Sequence, residues 1–314
     1  MNLEYGPPTR NAYGEALVEL GRQHEEIVVL DGDLAKSTRT YMFQQEFPER
    51  FYNVGIQEAN MVGLAAGLSA SGLLPFVSSF ACFLTNRAYD QMRVSVAYPR
   101  LNVKFVASHG GISGGEDGAT QQSVEDLALM SSLPGMIVCV PADGYATRAL
   151  MPQLLTAETS CYMRTGRPRV PVIYDSESES GIELGKANVI RPGDDLTIVA
   201  CGLLVAEALV AAENLAEEGV EAEVIDSHTM KPLDEATIVQ SARKTGRVVV
   251  AEEHQIWGGL GSAVARALSA REPVPMRFVA IDDTYAESGE ARELLDAYGL
   301  TAPHIYNKAR ELLD

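Results

Sequence analysis

Short runs of β-branched and apolar residues alternate with segments of helical period along almost the whole chain, and the alternation breaks once. "EIVVLD", "LPFVSS", "NVKFVAS", "MIVCVPA" and "CYMRT" read as strands. Between them "RNAYGEALVELGRQ", "QEANMVGLAAGLSASG", "LTNRAYDQMRVSVA", "VEDLALMSSL" and "YATRALMPQLLTAE" read as helices. That rhythm is the pattern of βα units wound around a mainly parallel sheet. Prolines and clustered polar residues interrupt it between Gly166 and Pro192, and it then restarts at "DLTIVACG" and runs to the end of the chain. An α/β fold of two doubly wound, mainly parallel-sheet domains is therefore expected, over residues 1–170 and 193–314, with a linker at 171–192. The acidic run from Glu177 to Ser180 reads as a solvated linker face.

Charge narrows the partners. The 314 residues include 43 Asp plus Glu against 25 Lys plus Arg, a net charge of -18, which argues against nucleic acid or an anionic membrane surface. The widely spaced Cys82, Cys139, Cys161 and Cys201 form no C-x-x-C pair and read as reduced core residues of a cytoplasmic protein. The first residues carry neither a basic nor an apolar leader segment, and no run reaches the roughly 18 apolar residues of a membrane span. His24, His228, His254 and His304 make no zinc-binding spacing, so no metal site is expected in the chain itself.

Two stretches carry candidate chemistry. Glu58 opens a segment that is apolar or small on nearly every side, the pattern of a buried helix. Burial there disfavours the charged form of the carboxylate while the helix N-terminus favours it, so Glu58 is either an acid/base group or a carboxylate that merely caps the turn or pairs with a buried arginine. Gly63 and Gly67 leave room on this helix for another backbone, in the same chain or in another subunit. The second stretch is "SHGGISGGEDGATQQSVED", Ser108 to Asp126, a glycine-rich loop at a strand end that carries Glu116 and Asp117 and no lysine or arginine. Carboxylates repel a phosphate, so the loop suits a hydroxylated ligand received by Asp117, or else a tight turn whose acids cap the next helix. "GDLAKST" lacks P-loop spacing, and "WGGLGSAV" lacks a full dinucleotide-binding pattern.

In order along the chain, "PPTRNAYGEAL", "DGDLAKST", "NVGIQEANMVGLAAGLSASG", "SSFACFL", "SHGGISGGEDGATQQSVEDLALMSSLP", "VPADGYATRAL", "RTGRP" and "VIDSHTMKPLD" strongly resemble the C-terminal two-thirds of transketolase. The resemblance covers nearly the whole chain. It implies a pyrimidine-binding domain followed by the family's C-terminal domain, and dependence on thiamine diphosphate. The family's "GDG" motif, which with a later asparagine holds the diphosphate and a Mg2+ or Ca2+ ion, is missing. The resemblance therefore implies a C-terminal subunit of a split enzyme, joined to an N-terminal subunit in an α2β2 heterotetramer.

Residue by residue, Glu58 matches the glutamate that bonds the pyrimidine N1′ and drives its amino group to the imino form. Phe83, with Phe80 beside it, matches the ring stacked on the pyrimidine, and Asp33 matches an aspartate near the cofactor. Arg10, Ser37 and Arg167 match the residues that grip a sugar phosphate, with His109 on the same path and Asp117 receiving a sugar hydroxyl. Gln121 replaces a histidine of bacterial and yeast-type members, as in the animal-like branch, and can serve as a neutral donor and acceptor for the C1 hydroxyl and carbonyl. The implied reaction moves a two-carbon ketol unit between sugar phosphates, pentose phosphates by default. Rival readings are the β subunit of a 2-oxoacid dehydrogenase decarboxylating component, which has no use for a phosphate grip, a 1-deoxyxylulose-phosphate synthase fragment, and a non-catalytic transketolase-like module.

Overall fold

The structure is a computed structural model that describes residues 3–176 and 181–313; the acidic run at 177–180 lies outside the described residues. In the first half the order is α1 (Thr9–Gln23), β1 (Ile27–Asp31), α2 (Ala35–Thr38), α3 (Tyr41–Glu46), β2 (Phe51–Asn53), α4 (Glu58–Ala70), β3 (Leu74–Phe80), α5 (Ala81–Arg87) and α6 (Tyr89–Gln91). A π-helical turn at Met92–Ala97 leads to β4 (Lys104–Ser108), α7 (Asp126–Ser132), β5 (Ile137–Cys139), α8 (Gly144–Thr156) and β6 (Cys161–Arg164). The second half holds β7 (Asn188–Arg191), β8 (Leu196–Ala200), α9 (Leu204–Ala216), β9 (Ala222–Asp226), β10 (Thr229–Lys231) and α10 (Glu235–Thr245). It continues with β11 (Val248–Gln255), α11 (Leu260–Arg271), β12 (Met276–Ile281), α12 (Ala291–Ala297) and α13 (Ala302–Leu313).

Strands β1, β3 and β4 are buried at every position, as expected of parallel strands covered by helices on both faces. The first sheet runs β10-β5-β6-β4-β3-β1-β2 and the second β12-β11-β8-β9-β7. Both are parallel except at one edge, where β10 pairs antiparallel with β5 and β7 antiparallel with β9. Helix α1 buries Ala12, Tyr13, Ala16, Leu17 and Leu20, a stripe at helical spacing, and the Tyr13 hydroxyl hydrogen-bonds Ser78 Oγ of β3 at 2.8 Å.

Three features differ from the reading of the sequence. The segment expected as linker ends in the edge strand β7, and the second half lends β10 to the first sheet, so the halves interlock. The single helix expected over "LTNRAYDQMRVSVA" is broken into α5, α6 and the π-helical turn. Helix α4 is buried on one face only: Met61, Val62, Ala65 and Ala66 are covered, whereas Asn60, Gly63, Leu64 and Gly67 are exposed, with open space beside both glycines. Its apolar composition exceeds what this chain alone can cover.

Candidate functional site

The loops that leave the carboxyl ends of β1, β3, β4 and β6 bring the candidate residues to one edge of the first sheet, where open α/β sheets place ligands. After β1 the chain turns because buried Asp31 accepts hydrogen bonds from Leu34 N at 2.6 Å, Thr38 Oγ1 at 2.7 Å and Thr40 Oγ1 at 2.8 Å. A carboxylate thus fills the place that a phosphate would occupy in a P-loop. The turn presents Ser37 to α1, where Arg10 Nη1 donates to the Ser37 carbonyl at 3.0 Å. Asp33, with a left-handed φ of 67°, accepts from Asn53 Nδ2 at 2.9 Å and stands to one side of the residues that follow.

Glu58 is the first residue of α4 and only 3% exposed. Arg87 Nη1 lies 3.2 and 3.4 Å from its two carboxylate oxygens, and the Arg87 guanidinium carbon sits 4.2 Å from the centre of the Phe83 ring. Both alternatives left open for Glu58 thus keep support: it is buried at a helix start, and it is paired with an arginine, one that is half exposed rather than buried. Phe83 stacks on Phe80 with centroids 5.5 Å apart and an interplanar angle of 18°, and Phe80 stacks on the imidazole of His109 at 3.8 Å. The result is a row from a buried carboxylate, through the Arg87 guanidinium and across two aromatic rings, to a histidine.

His109 follows β4 with a left-handed φ of 61°, and its Nδ1 is 2.9 Å from Ser108 Oγ. Burial, reinforced by the charges of Arg10 and Arg167, pushes its pKa down to about 3, so the ring is neutral at working pH. Its Nε2 stands 3.8 Å from Asp117 Oδ2, beyond hydrogen-bond reach, and a neutral ring makes no ion pair there. Arg167 Nη1 donates to the Gly114 carbonyl and, at 2.7 Å, to Glu116, with Asp117 3.7 Å away. The acids of the glycine-rich loop are thus partners of an arginine that follows β6. Gln121 lies over α5: its carbonyl accepts from Cys82 Sγ at 3.2 Å and its side-chain oxygen accepts from the Thr120 hydroxyl.

The second half holds this loop in shape. Glu253, within β11, accepts from Ile112 N at 2.7 Å and Ser113 N at 2.6 Å. Gly111 has a φ of 77°, and a Cβ there would stand 2.1 Å from the Glu253 carboxyl carbon, so both conformation and space require glycine. Gln122 Nε2 donates to carbonyls of Ile112, Gly115 and Glu287. Glu252, next to Glu253, accepts from Leu260 N and Gly261 N, so the start of α11 in "WGGLGSAV" is already capped by a carboxylate. Sequence reasoning missed Asp31, Arg87 and Glu253. For Arg87 a signal existed, since it stands four residues after Phe83 on one helical face.

The four cysteines are free and buried, and burial pushes the Cys82 thiol up to about 12, the behaviour of inert core thiols. Among the described residues no cluster of three or more His, Cys, Asp or Glu is placed to hold a metal ion, and no helix is long and apolar enough to cross a membrane.

Residues 6–172 match the family model for the transketolase pyrimidine binding domain, and residues 185–305 that for the transketolase C-terminal domain. The chain belongs to the transketolase family. It is 45% identical over 303 residues to a putative transketolase C-terminal section of Methanocaldococcus jannaschii, covering 96% of this chain and 95% of that one. It is also 45% identical to the 6-deoxy-6-sulfo-D-fructose transketolase subunit SqwH of Clostridium sp. (strain MSTE9), over 97% of this chain and 94% of the relative. Among solved structures it matches a split gene transketolase described as an inactive beta4 tetramer, with a TM-score of 0.91 and 48% identity over 98% of this chain and 99% of that one. Its domains and its span are those of the separate C-terminal, or β, subunit of a split transketolase, an enzyme whose other subunit carries the N-terminal domain.

The family implies thiamine diphosphate. The residues present fit half of that cofactor: a buried carboxylate beside a stacked aromatic pair suits a flat ring with a basic nitrogen, whereas no group of His, Cys, Asp or Glu among the described residues is placed to hold its metal.

Proposed function

We propose that this chain, joined to an N-terminal subunit in a cytoplasmic α2β2 heterotetramer, transfers a two-carbon ketol unit from a ketose phosphate to an aldose phosphate. The observation that carries the reading is the row itself, which begins at a buried carboxylate paired with Arg87 beside two stacked rings and ends at a neutral histidine under the charges of Arg10 and Arg167. One end suits an aminopyrimidine and the other a sugar that ends in an anion. Relatives named for 6-deoxy-6-sulfo-D-fructose and for apulose-4-phosphate support a substrate of this shape.

Thiamine diphosphate, when bound, supplies the ring that stores the electron pair released when the ketose carbon–carbon bond breaks. Glu58 holds a proton towards the pyrimidine nitrogen, with Phe83 and Phe80 fixing the plane of that ring and Asp33 near the cofactor. Neutral His109 donates or accepts hydrogen bonds along the polyol without adding charge, which suits steps that pass protons between hydroxyl and carbonyl oxygens. Asp117 receives a sugar hydroxyl, and Gln121 serves the C1 hydroxyl and carbonyl. Arg10, Ser37 and Arg167 hold the terminal phosphate, a planar guanidinium being suited to bidentate contact with it. The diphosphate and its Mg2+ or Ca2+ ion belong to the partner subunit.

The test is reconstitution. Mixed with its N-terminal partner, the chain should give thiamine diphosphate-dependent ketol transfer between sugar phosphates, whereas the chain alone should give none. Full activity of the isolated chain would refute the need for a partner, and full activity of Glu58→Ala in the complex would refute the role of Glu58.

A further inference from the structure

Arg39 closes α2 with its backbone in the left-handed region, φ 73°, two residues beyond Ser37. That turn lays the residue against α1. A Cβ at Gly14 would stand 2.7 Å from Arg39 Cβ, and Arg39 Nε donates to Asn11 Oδ1 at 2.7 Å. Asn11 is the neighbour of Arg10, whose Nη1 bonds the carbonyl of Ser37 on the same turn that carries Arg39. Both arginines thus tie the Ser37 turn to the start of α1. The Nε of Arg10 is buried and has no hydrogen-bond partner among the described residues.

Charge is unbalanced at this point. Arg167 is compensated by Glu116 and Asp117, but neither Arg10 nor Arg39 makes an ion pair among the described residues. Burial, then Arg39, then Arg167 lower the pKa of Arg10 to about 10, as expected where like charges share a half-buried place. The three arginines against Glu116 and Asp117 leave one net positive charge here, and the charge of Asp117 also acts on Arg10. An anionic group at the end of a sugar supplies the counter-charge that this cluster lacks.

We infer that Arg39 is a specificity-determining residue, the third guanidinium, with Arg10 and Arg167, of the subsite that takes the terminal oxyanion of the sugar, and that it favours donors that end in an anion over donors too short to reach it. This rests on the reading of the substrate as a sugar that ends in an anion. Asn11 is the positioning residue that aims the side chain, and the αL turn at Arg39 is what lets it reach α1.

The experiment uses the two-subunit enzyme with Arg39→Gln and Arg39→Lys. Donors are a ketose phosphate, the corresponding 6-deoxy-6-sulfo sugar and hydroxypyruvate, which is too short to reach the far end of the site. Loss of one charge-assisted contact should raise KM for the ketose phosphate by about 10- to 100-fold with kcat little changed in Arg39→Gln, while Arg39→Lys recovers part of it. The sulfonate should lose affinity as well, and kcat/KM for hydroxypyruvate should not move. An unchanged KM for the ketose phosphate, or an equal loss on all three donors, overturns the assignment of Arg39. A wild-type enzyme that uses hydroxypyruvate but neither anion-ended sugar overturns instead the reading of the substrate. Independently, inorganic phosphate titrated into the isolated chain and followed by 31P NMR should bind the wild type more tightly than Arg39→Gln; equal binding also counts against the assignment.

Discussion

Asp226→Asn should change how the stability of this chain depends on pH. Asp226 ends β9 fully buried; its Oδ2 accepts the Tyr174 hydroxyl at 2.6 Å, and its Oδ1 has no partner among the described residues. Burial pushes the carboxyl from the ordinary 3.8 up to about 7, against the pull of the Tyr174 bond and helped by the charge of Asp143. A shift of about 3 units corresponds to about 4 kcal/mol, since each unit is worth roughly 1.4 kcal/mol. The sign follows from proton binding. The folded state binds the proton more tightly than the unfolded chain, so this stability is fully present below about pH 4, declines as the pH rises through about 7, and is absent above it. Asparagine does not titrate, and its carbonyl can still accept from Tyr174, although its amide is left without an acceptor at a cost of about 1 to 3 kcal/mol. Near pH 4 the wild type should therefore be the more stable, and above pH 8 the variant should equal or exceed it, a relative change of about 4 kcal/mol. Urea denaturation of both proteins from pH 4 to 9, followed by circular dichroism, measures this difference. A difference in stability that stays constant over that range would refute the reasoning.

Glu58→Gln should abolish ketol transfer in the assembled enzyme while the isolated chain keeps its circular dichroism spectrum and melting temperature; retained turnover would show that the carboxylate is not needed. Gly111→Ala forces a Cβ to 2.1 Å from the Glu253 carboxyl carbon at a φ of 77°, so thermal denaturation should show a loss of at least about 2 kcal/mol, and activity should fall with it. The His109 ring, held neutral with a pKa of about 3, should show no titration between pH 5 and 8 in its NMR signals, and an inflection near 6.5 would contradict that environment.

The buried strands were legible because nothing but parallel-sheet burial explains continuous β-branched runs such as "IVVLD", and the glycine-rich loop was legible because its acids fit neither a phosphate nor a core. Strand β10 was not, because three residues carry little periodicity and their pairing with β5 depends on how two distant halves meet. The break in "LTNRAYDQMRVSVA" has no local marker, since a π-helical turn inserts into a helix without glycine or proline. Glu253 escaped for a similar reason: it sits in a strand like any other acid, and only the approach of Ile112 and Ser113, 141 and 140 positions earlier, gives it something to hold. The site residues became legible through motif order, and their mutual contacts, such as Arg87 with both Glu58 and Phe83, only through the fold.

The borrowed strand has a consequence for how the protein is made. Until Lys231 has left the ribosome, the β5 edge of the first sheet has no partner, and the Lys231 ammonium that bonds the Ser131 and Leu133 carbonyls is not there to close the end of α7. An unpaired strand edge is an invitation to the wrong neighbour. During synthesis, therefore, the amino-terminal half must wait, partly formed, for some seventy further residues, about 4 to 14 seconds at roughly 5 to 20 residues per second. A truncated product that ends in the connecting segment keeps that exposed edge for good, which makes the two halves one unit of biosynthesis even though they look like two units of architecture.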